Sequence, residues 1–387
     1  MTAPEYYFDF AAATPLDERV FDVMRPYFTE RFFNPSSPYE PAVQVRREYQ
    51  EAKESIARHI GAHADEIIMC AGATESINLA LRSSEGRVAY TAIEHDSVRQ
   101  AARSAQGYAE IEVGVSGRVA PEAVRAAITD DVSIVSVALA NHELGTVQPI
   151  ASIARMIAEE REKRLLTNNR LPLLLHCDGS QGLGLLDIHV ARLGVDLLTL
   201  NAAKVYGPKQ VGLLWVKPGV RLRPVTYGGG QELGLRSGTE NVAGVIGFAE
   251  AMRLAEKKRK EETMRLANLR DGMQRALTEA LPLAIISGSQ KHRLANFLHI
   301  SFPGIDAERL IFQLETQGVY VATGSACAAN KGAGSTVLAA IGLDQQARQG
   351  SIRLSLGRTT TKQHCEYAVQ AICSAVNREL ARQGKHG

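Results

Sequence analysis

Apolar residues along this chain arrive in two rhythms. Seven short runs are nearly continuous, at residues 66–70, 87–91, 111–114, 132–139, 171–177, 196–200 and 212–216. Runs of that kind are typical of strands covered on both faces. Between them the apolar positions recur at helical spacing. Examples are Val20, Met24, Tyr27 and Phe28, then Tyr49, Ala52, Ile56 and Ile60, and then the stretch 150–163. Strand and helix in alternation predict an α/β architecture with a mainly parallel seven-stranded sheet. The polar stretch 163–170 reads as an exposed loop.

The rhythm changes after Gly230. Residues 241–280 form one long helical stretch with a charged block at 256–262 inside it. Beyond it the pattern predicts a strand at 297–302, a helix at 307–316 and a strand at 319–322. A Gly-rich loop at 324–334, a strand at 351–356 and a last helix at 362–382 complete a small α+β unit.

A length of 387 residues suits two or three domains, or one large domain with a smaller appendage. The composition, 45% apolar and 22% charged, is that of a folded globular chain rather than a disordered one. With 44 basic and 42 acidic residues the net charge is +2, which disfavours nucleic acid as the main ligand. No run is long enough for a membrane span, and the first nine residues do not resemble a signal peptide. The five cysteines, Cys70, Cys177, Cys327, Cys365 and Cys373, are scattered without a Cys-x-x-Cys pair. That pattern argues against a disulfide framework and a zinc site, and fits a reducing cytoplasm.

Five segments carry chemistry. Lys204 follows an apolar run and precedes Val-Tyr-Gly-Pro. Desolvation at a strand end makes a lysine amine nucleophilic, as a Schiff-base lysine needs; the plain alternative is a surface lysine. Asp178 closes another apolar run, at the sheet edge where ligands bind in open α/β folds. It suits pairing with a pyridinium nitrogen, or else N-caps a helix. Gly72-Ala-Thr-Glu-Ser76 opens a helix after a strand, as phosphate-cradling turns do, although Thr74 and Glu75 could form a capping box. Cys327 sits in a loop of small residues, Gly324 to Gly334, which suits an exposed sulfur-carrying thiol. The remaining Cys70, Cys365 and Cys373 read as core. Arg353 lies among apolar residues and needs a carboxylate, from a substrate or from an internal Asp or Glu.

In that order along the chain, these segments resemble the cysteine desulfurases, in the class V aminotransferase branch of the fold type I PLP (pyridoxal 5'-phosphate) enzymes. The resemblance also rests on Phe8-Asp-Phe-Ala-Ala-Ala-Thr-Pro15, Asn34-Pro-Ser-Ser37, Glu94-His95, Asn141-His-Glu-Leu-Gly145, Gly228-Gly-Gly-Gln231 and Arg236-Ser-Gly-Thr239. It implies a PLP-dependent transferase of fold type I, with residues 15–255 as the large domain. Residues 1–14 and 256–387 would form the small domain that carries the cysteine loop. It further implies that Lys204 bonds to PLP and moves the substrate's α-proton. Asp178 would pair with the ring nitrogen, Gln181 with the ring hydroxyl, and His95 would stack on the ring. Ala73 and Thr74 would hold the phosphate, Asn201 would stand beside it, and Thr239 would reach the second subunit of a homodimer. Arg353, with Asn141 and His142, would bind L-cysteine, and Cys327 would take its sulfur as a persulfide for an acceptor protein. The Gly-Ser-Ala-Cys run resembles the group serving iron–sulfur assembly, nitrogenase maturation and tRNA thiolation, the acceptor being a scaffold or a tRNA-thiolation enzyme.

Three departures from the family pattern stand out. Asn201 and Ala203 replace the Ser and His of a Ser-x-His-Lys run, which implies weaker PLP retention. His142 stands where a second Asn is usual. The tail after Arg358 is short, which implies that the usual partner interface is different or absent. The alternatives are a selenocysteine lyase or another class V lyase or aminotransferase, and a degenerate PLP-binding scaffold. A nicotinamide-dependent enzyme is excluded by the lack of Gly-x-Gly-x-x-Gly after the first strand.

Overall fold

A computed structural model describes residues 5–323 and 334–384. The chain opens with a short strand, β1 (Tyr6–Tyr7). The apolar runs then form β2 (Ile67–Cys70), β3 (Arg87–Thr91), β4 (Tyr108–Ile111), β5 (Val132–Ser136), β6 (Leu174–Asp178), β7 (Leu197–Asn201) and β8 (Gly212–Val216). These seven strands make one sheet in the order β2-β8-β7-β6-β5-β3-β4. Only β8 runs against its neighbours β2 and β7; the other pairs are parallel. The carboxyl ends of the other six strands therefore share one edge, where ligands of open α/β sheets bind.

Two expected strands are displaced. The run at 111–114 pairs instead as Tyr108–Ile111, because the alternating residues Tyr108 to Ile111 match β3 in register. The run at 171–177 begins pairing only at Leu174 and reaches Asp178. The expected loop at 163–170 is helical as far as Leu166. Its Arg164 is buried and donates hydrogen bonds to the carbonyls of Thr129, Val132 and Leu171, which fastens the helix end to the sheet.

Apolar side chains segregate into two main cores. One surrounds the large sheet and includes Ile56, Leu175, Leu198 and Phe248. The second includes Phe8, Leu298, Leu310, Ile352 and Ile372. Around it lies an antiparallel sheet of β9 (Ile285–Ile286), β10 (Phe297–Ser301), β12 (Ala322–Thr323) and β13 (Ser351–Ser355), in the order β12-β13-β10-β9. The strand expected at 319–322 divides between two sheets. β11 (Val319–Tyr320) pairs with β1, which brings the amino-terminal segment into this second unit. A 39-residue helix, Val242–Ala280, joins the two cores. Its first half packs Val245, Phe248 and Met252 into one core, and its second half packs Leu266, Met273 and Leu277 into the other. No described helix is long and apolar enough to cross a membrane.

Candidate active site

Turns at the shared edge carry most of the singled-out side chains. β6 ends on Asp178, whose Oδ1 accepts from the Ser180 backbone at 3.0 Å. β7 ends on Asn201, whose Oδ1 accepts from the Ala203 backbone at 3.1 Å and caps the short turn Ala202–Lys204. Lys204 follows directly, and its Nζ donates to the carbonyls of Ala11 and Ala12 at 2.8 and 2.7 Å. It is half-buried and turned inward, so the surface-lysine alternative fails. Thr14 locks this turn by donating to the Ala203 carbonyl and accepting from the Tyr206 backbone. Tyr206 holds a left-handed φ of 63° there, and Arg358 lies 4.1 Å over its ring. Gln181 donates to the same Ala11 carbonyl at 3.1 Å.

The phosphate-type turn is built around two glycines. Gly72, at φ 97°, caps the helix Ala73–Arg82 without a side-chain hydrogen bond, so the alternative of a capping box from Thr74 and Glu75 does not form. Glu75 instead accepts from the Ala71 backbone and from Arg236. The first amides of that helix are thus left to an outside acceptor. Gly212 runs beneath the turn; a Cβ there would lie 2.7 Å from the carbonyl carbon of Gly72.

Across the cleft, His95 caps the helix Asp96–Arg103 and stands edge-on to His142, with ring centroids 5.1 Å apart. Burial, followed by the charge of Lys204, lowers the pKa of His95, against the pull of Asp178. Burial and the neighbouring His95, Arg353 and Lys204 hold His142 well below the usual range. Both rings are therefore neutral bases near pH 7. Asn141 spends its amide on joining two turns, donating to the Ile93 carbonyl beside the His95 turn and accepting from the Glu143 and Leu144 backbones of its own. Arg353 is buried on β13 and donates to Asp9 Oδ1 at 2.6 Å and to the His142 carbonyl at 2.8 Å. An internal carboxylate therefore accompanies it, as one of the two sequence readings required. Thr239 is exposed and makes none of these contacts.

Cys327 lies outside the described residues, but both flanks of its segment are placed. On one side, Thr323 pairs with Ile352, beside Arg353. On the other, Ser335 donates to Glu143 at 2.6 Å, one residue from His142. Cys70, Cys177 and Cys365 are buried, whereas Cys373 is only partly so. Among the described residues, no group of His, Cys, Asp or Glu is arranged to hold a metal ion.

Three buried groups near the site carry no role in the sequence reading, although Glu94 and Glu143 lie in segments it singled out. Glu94 accepts from Thr91 and the Ala138 backbone through Oε1, while Oε2 has no partner; burial raises its pKa to about 8. Glu143 is likewise raised by burial, to about 7. His299 faces Arg353 across the β10–β13 ladder, and burial followed by Arg353 pushes its pKa down to about 3. His299, an imidazole inside the run Phe297–Ser301, gives little sequence signal of its own.

This fold and cleft define a class. The profile described as "Aminotransferase class-V" matches residues 6–367, and the chain belongs to that family. Within it the chain belongs to the cysteine desulfurases, which are PLP-dependent enzymes. It is 36% identical over 379 residues to "Cysteine desulfurase IscS" of Dictyoglomus turgidum, covering 95% of this chain and 93% of the relative. It is 37% identical over 386 residues to "Cysteine desulfurase IscS 1" of Archaeoglobus fulgidus, covering 96% and 97%. A solved "NifS-like protein" superposes with a TM-score of 0.85 at 31% identity, covering 96% of this chain and 98% of that one. "SspA in complex with cysteine" superposes with a TM-score of 0.75 at 28% identity, covering 91% and 98%.

The residues present fit PLP. The uncapped helix start at Gly72 offers amides to a phosphate, and Asp178 stands at the strand end with Oδ2 left over. The buried Ser180 hydroxyl, which has no partner, lies two residues further on.

Proposed function

We propose that this chain converts L-cysteine to L-alanine and takes the sulfur onto Cys327 as a persulfide. In this reaction the Cys327 thiolate forms an S–S bond as the substrate's C–S bond breaks. A proton returned to the substrate carbon completes alanine, so no external oxidant or reductant is needed. When bound, PLP supplies an electron sink for the substrate's α-carbon. Lys204 carries the α-proton, Asp178 pairs with the ring nitrogen and Gln181 with the ring hydroxyl. Ala73 and Thr74 hold the phosphate beside Asn201, and His95 covers the ring. Arg353 receives the substrate carboxylate. Neutral His95 and His142 are bases able to take thiol protons, and Asn141 holds the turn that presents His142.

The observation that carries this reading is the placement of both flanks of the Cys327 segment. One flank is laddered beside Arg353 and the other is hydrogen-bonded beside His142. Both anchors border the cleft in which the substrate would be held.

The finer parts belong to the same proposal. Residues 15–255 act as the PLP-binding domain, and residues 1–14 with 256–387 as the domain carrying the cysteine. The enzyme is a homodimer, with Thr239 serving the phosphate site of the partner subunit; the exposure of Tyr227, Leu233 and Thr239 on one segment supports this. The persulfide passes to an acceptor protein for iron–sulfur assembly or tRNA thiolation. The four unpaired described cysteines suit the cytoplasm.

The test is alanine formation from L-cysteine by PLP-loaded protein beside its Cys327→Ala variant. Alanine from the parent, with at least an order of magnitude less from the variant, is expected. No alanine from either, with the cofactor bound, would reject the reading in favour of another class V substrate or a scaffold role.

A further inference from the structure

Arg353 is held from two sides before any substrate arrives. Asp9 Oδ1 takes one hydrogen of Nη2, and the His142 carbonyl takes one of Nη1. A guanidinium has five N–H groups, so three remain, and the buried Nε has no partner. Asp9 itself cannot easily retreat. Phe8 donates to the Tyr320 carbonyl and accepts from the Ser355 backbone, each at 2.8 Å. The Tyr7 hydroxyl donates to the carbonyls of Asp9 and Ala13 at 2.8 and 3.1 Å. Ala11 donates to the Ser355 hydroxyl at 2.8 Å. The turn that fixes Asp9 is the same one whose carbonyls receive Lys204 and Gln181.

We propose that Asp9 is a positioning residue for substrate-carboxylate recognition, acting through Arg353. This rests on the desulfurase reading, in which Arg353 meets the carboxylate of L-cysteine. An arginine is a planar fork whose value lies in two parallel hydrogen bonds at a fixed angle. A fork free to rotate loses rotamer freedom on binding, whereas one already pinned does not. Asp9 removes that loss and neutralises a buried cation between substrate encounters. The specificity that follows is for α-amino acids over plain amines. The opposite role, Asp9 as an internal competitor that blocks Arg353, predicts effects of the reverse sign.

The experiment is a titration of PLP-loaded protein, followed by the cofactor's absorbance and not by turnover. The two probes are L-alanine, which carries the carboxylate, and ethylamine, the same skeleton without it. In Asp9→Ala the dissociation constant for L-alanine is expected to rise about tenfold, a loss on the scale of one charge-assisted hydrogen bond, while that for ethylamine stays level. Asp9→Asn keeps the acceptor oxygen and should stay within about threefold of the parent. Tyr7→Phe loosens the turn without touching the guanidinium. It should weaken L-alanine selectively by about threefold, and it decides the matter if Asp9→Ala does not fold. Equal weakening of both probes, no selective change, or tighter L-alanine binding without the Asp9 carboxylate would overturn the proposal. If the parent responds to neither probe, the desulfurase reading falls first and this role falls with it.

Discussion

His176 Nε2 lies 3.0 Å from the hydroxyl of Thr199 on the adjacent strand, inside a buried chain of hydrogen bonds with a single direction. Ser76 donates to the Leu213 carbonyl, so it must accept from Thr199 at 2.7 Å. Thr199 must then accept from Nε2–H, and Nδ1 accepts from Ser136 at 2.8 Å. Burial pushes the His176 pKa down to about 4, which keeps the ring neutral and this tautomer in place. The chain ties four sheet strands to the helix beginning at Ala73, so it fixes the strand bearing Asp178 relative to the phosphate-type turn.

Thr199→Val preserves shape and removes the central hydroxyl. It leaves the His176 Nε2–H without its acceptor and the Ser76 oxygen without its donor, both buried. A loss of about 1–3 kcal/mol is expected, seen as a lower urea midpoint with an unchanged slope. An unaltered midpoint would mean that the chain contributes nothing net.

Glu94 gives a pH-dependent prediction. Its folded-state pKa is raised from the ordinary 4.5 to about 8, chiefly by burial. The folded state therefore keeps a proton that the unfolded chain gives up. Stability from this group is complete below the unfolded value and is lost as pH rises through about 8. Glu94→Gln carries a permanently neutral side chain of the same shape and keeps the Oε1 acceptor. Its melting temperature should match the parent's near pH 5 and exceed it by a few degrees near pH 8.5, in line with about 1.4 kcal/mol per displaced pKa unit. A difference constant across pH would refute this cause.

Asn201 and Ala203 concern cofactor retention. Asn201 spends its side-chain oxygen on the Ala203 amide, and Ala203 has no polar side chain to offer a phosphate. Ala203→His places an imidazole donor at this turn. PLP dissociation, followed by absorbance after dilution into a PLP trap, should slow about tenfold, as one charge-assisted hydrogen bond would give. A rate equal to the parent's would mean that the uncapped helix start already satisfies the phosphate.

Much of this architecture can be read in the sequence because its causes are local. The carboxyl-terminal helix, Lys362–Arg382, lies where its periodicity puts it, and the long helix differs from the expected range by one residue at its start. What was not legible depends on residues distant in sequence. Asp9 and Arg353 are 344 positions apart, and no spacing rule joins them. The reversed direction of β8 depends on its lying between two parallel strands, which its own apolar run does not encode. Thr74 and Glu75 have the composition of a capping box, but Glu75 turns to Ala71 and Arg236 and leaves the helix start open.

The helix Val242–Ala280 has a mechanical consequence. At about 1.5 Å per residue it is a rod of roughly 58 Å whose two halves are each embedded in a different core. Such an axle resists hinge-like swinging, since rotation would have to bend it or unpack one end. On the proposed desulfurase reading, delivery of sulfur then depends on contour length rather than domain travel. Cys327 is tethered four residues beyond Thr323, so covalent geometry limits its leash from that strand end to about 14 Å. On the proposed reading, an acceptor has to bring its own thiol inside that radius of the Thr323 strand end.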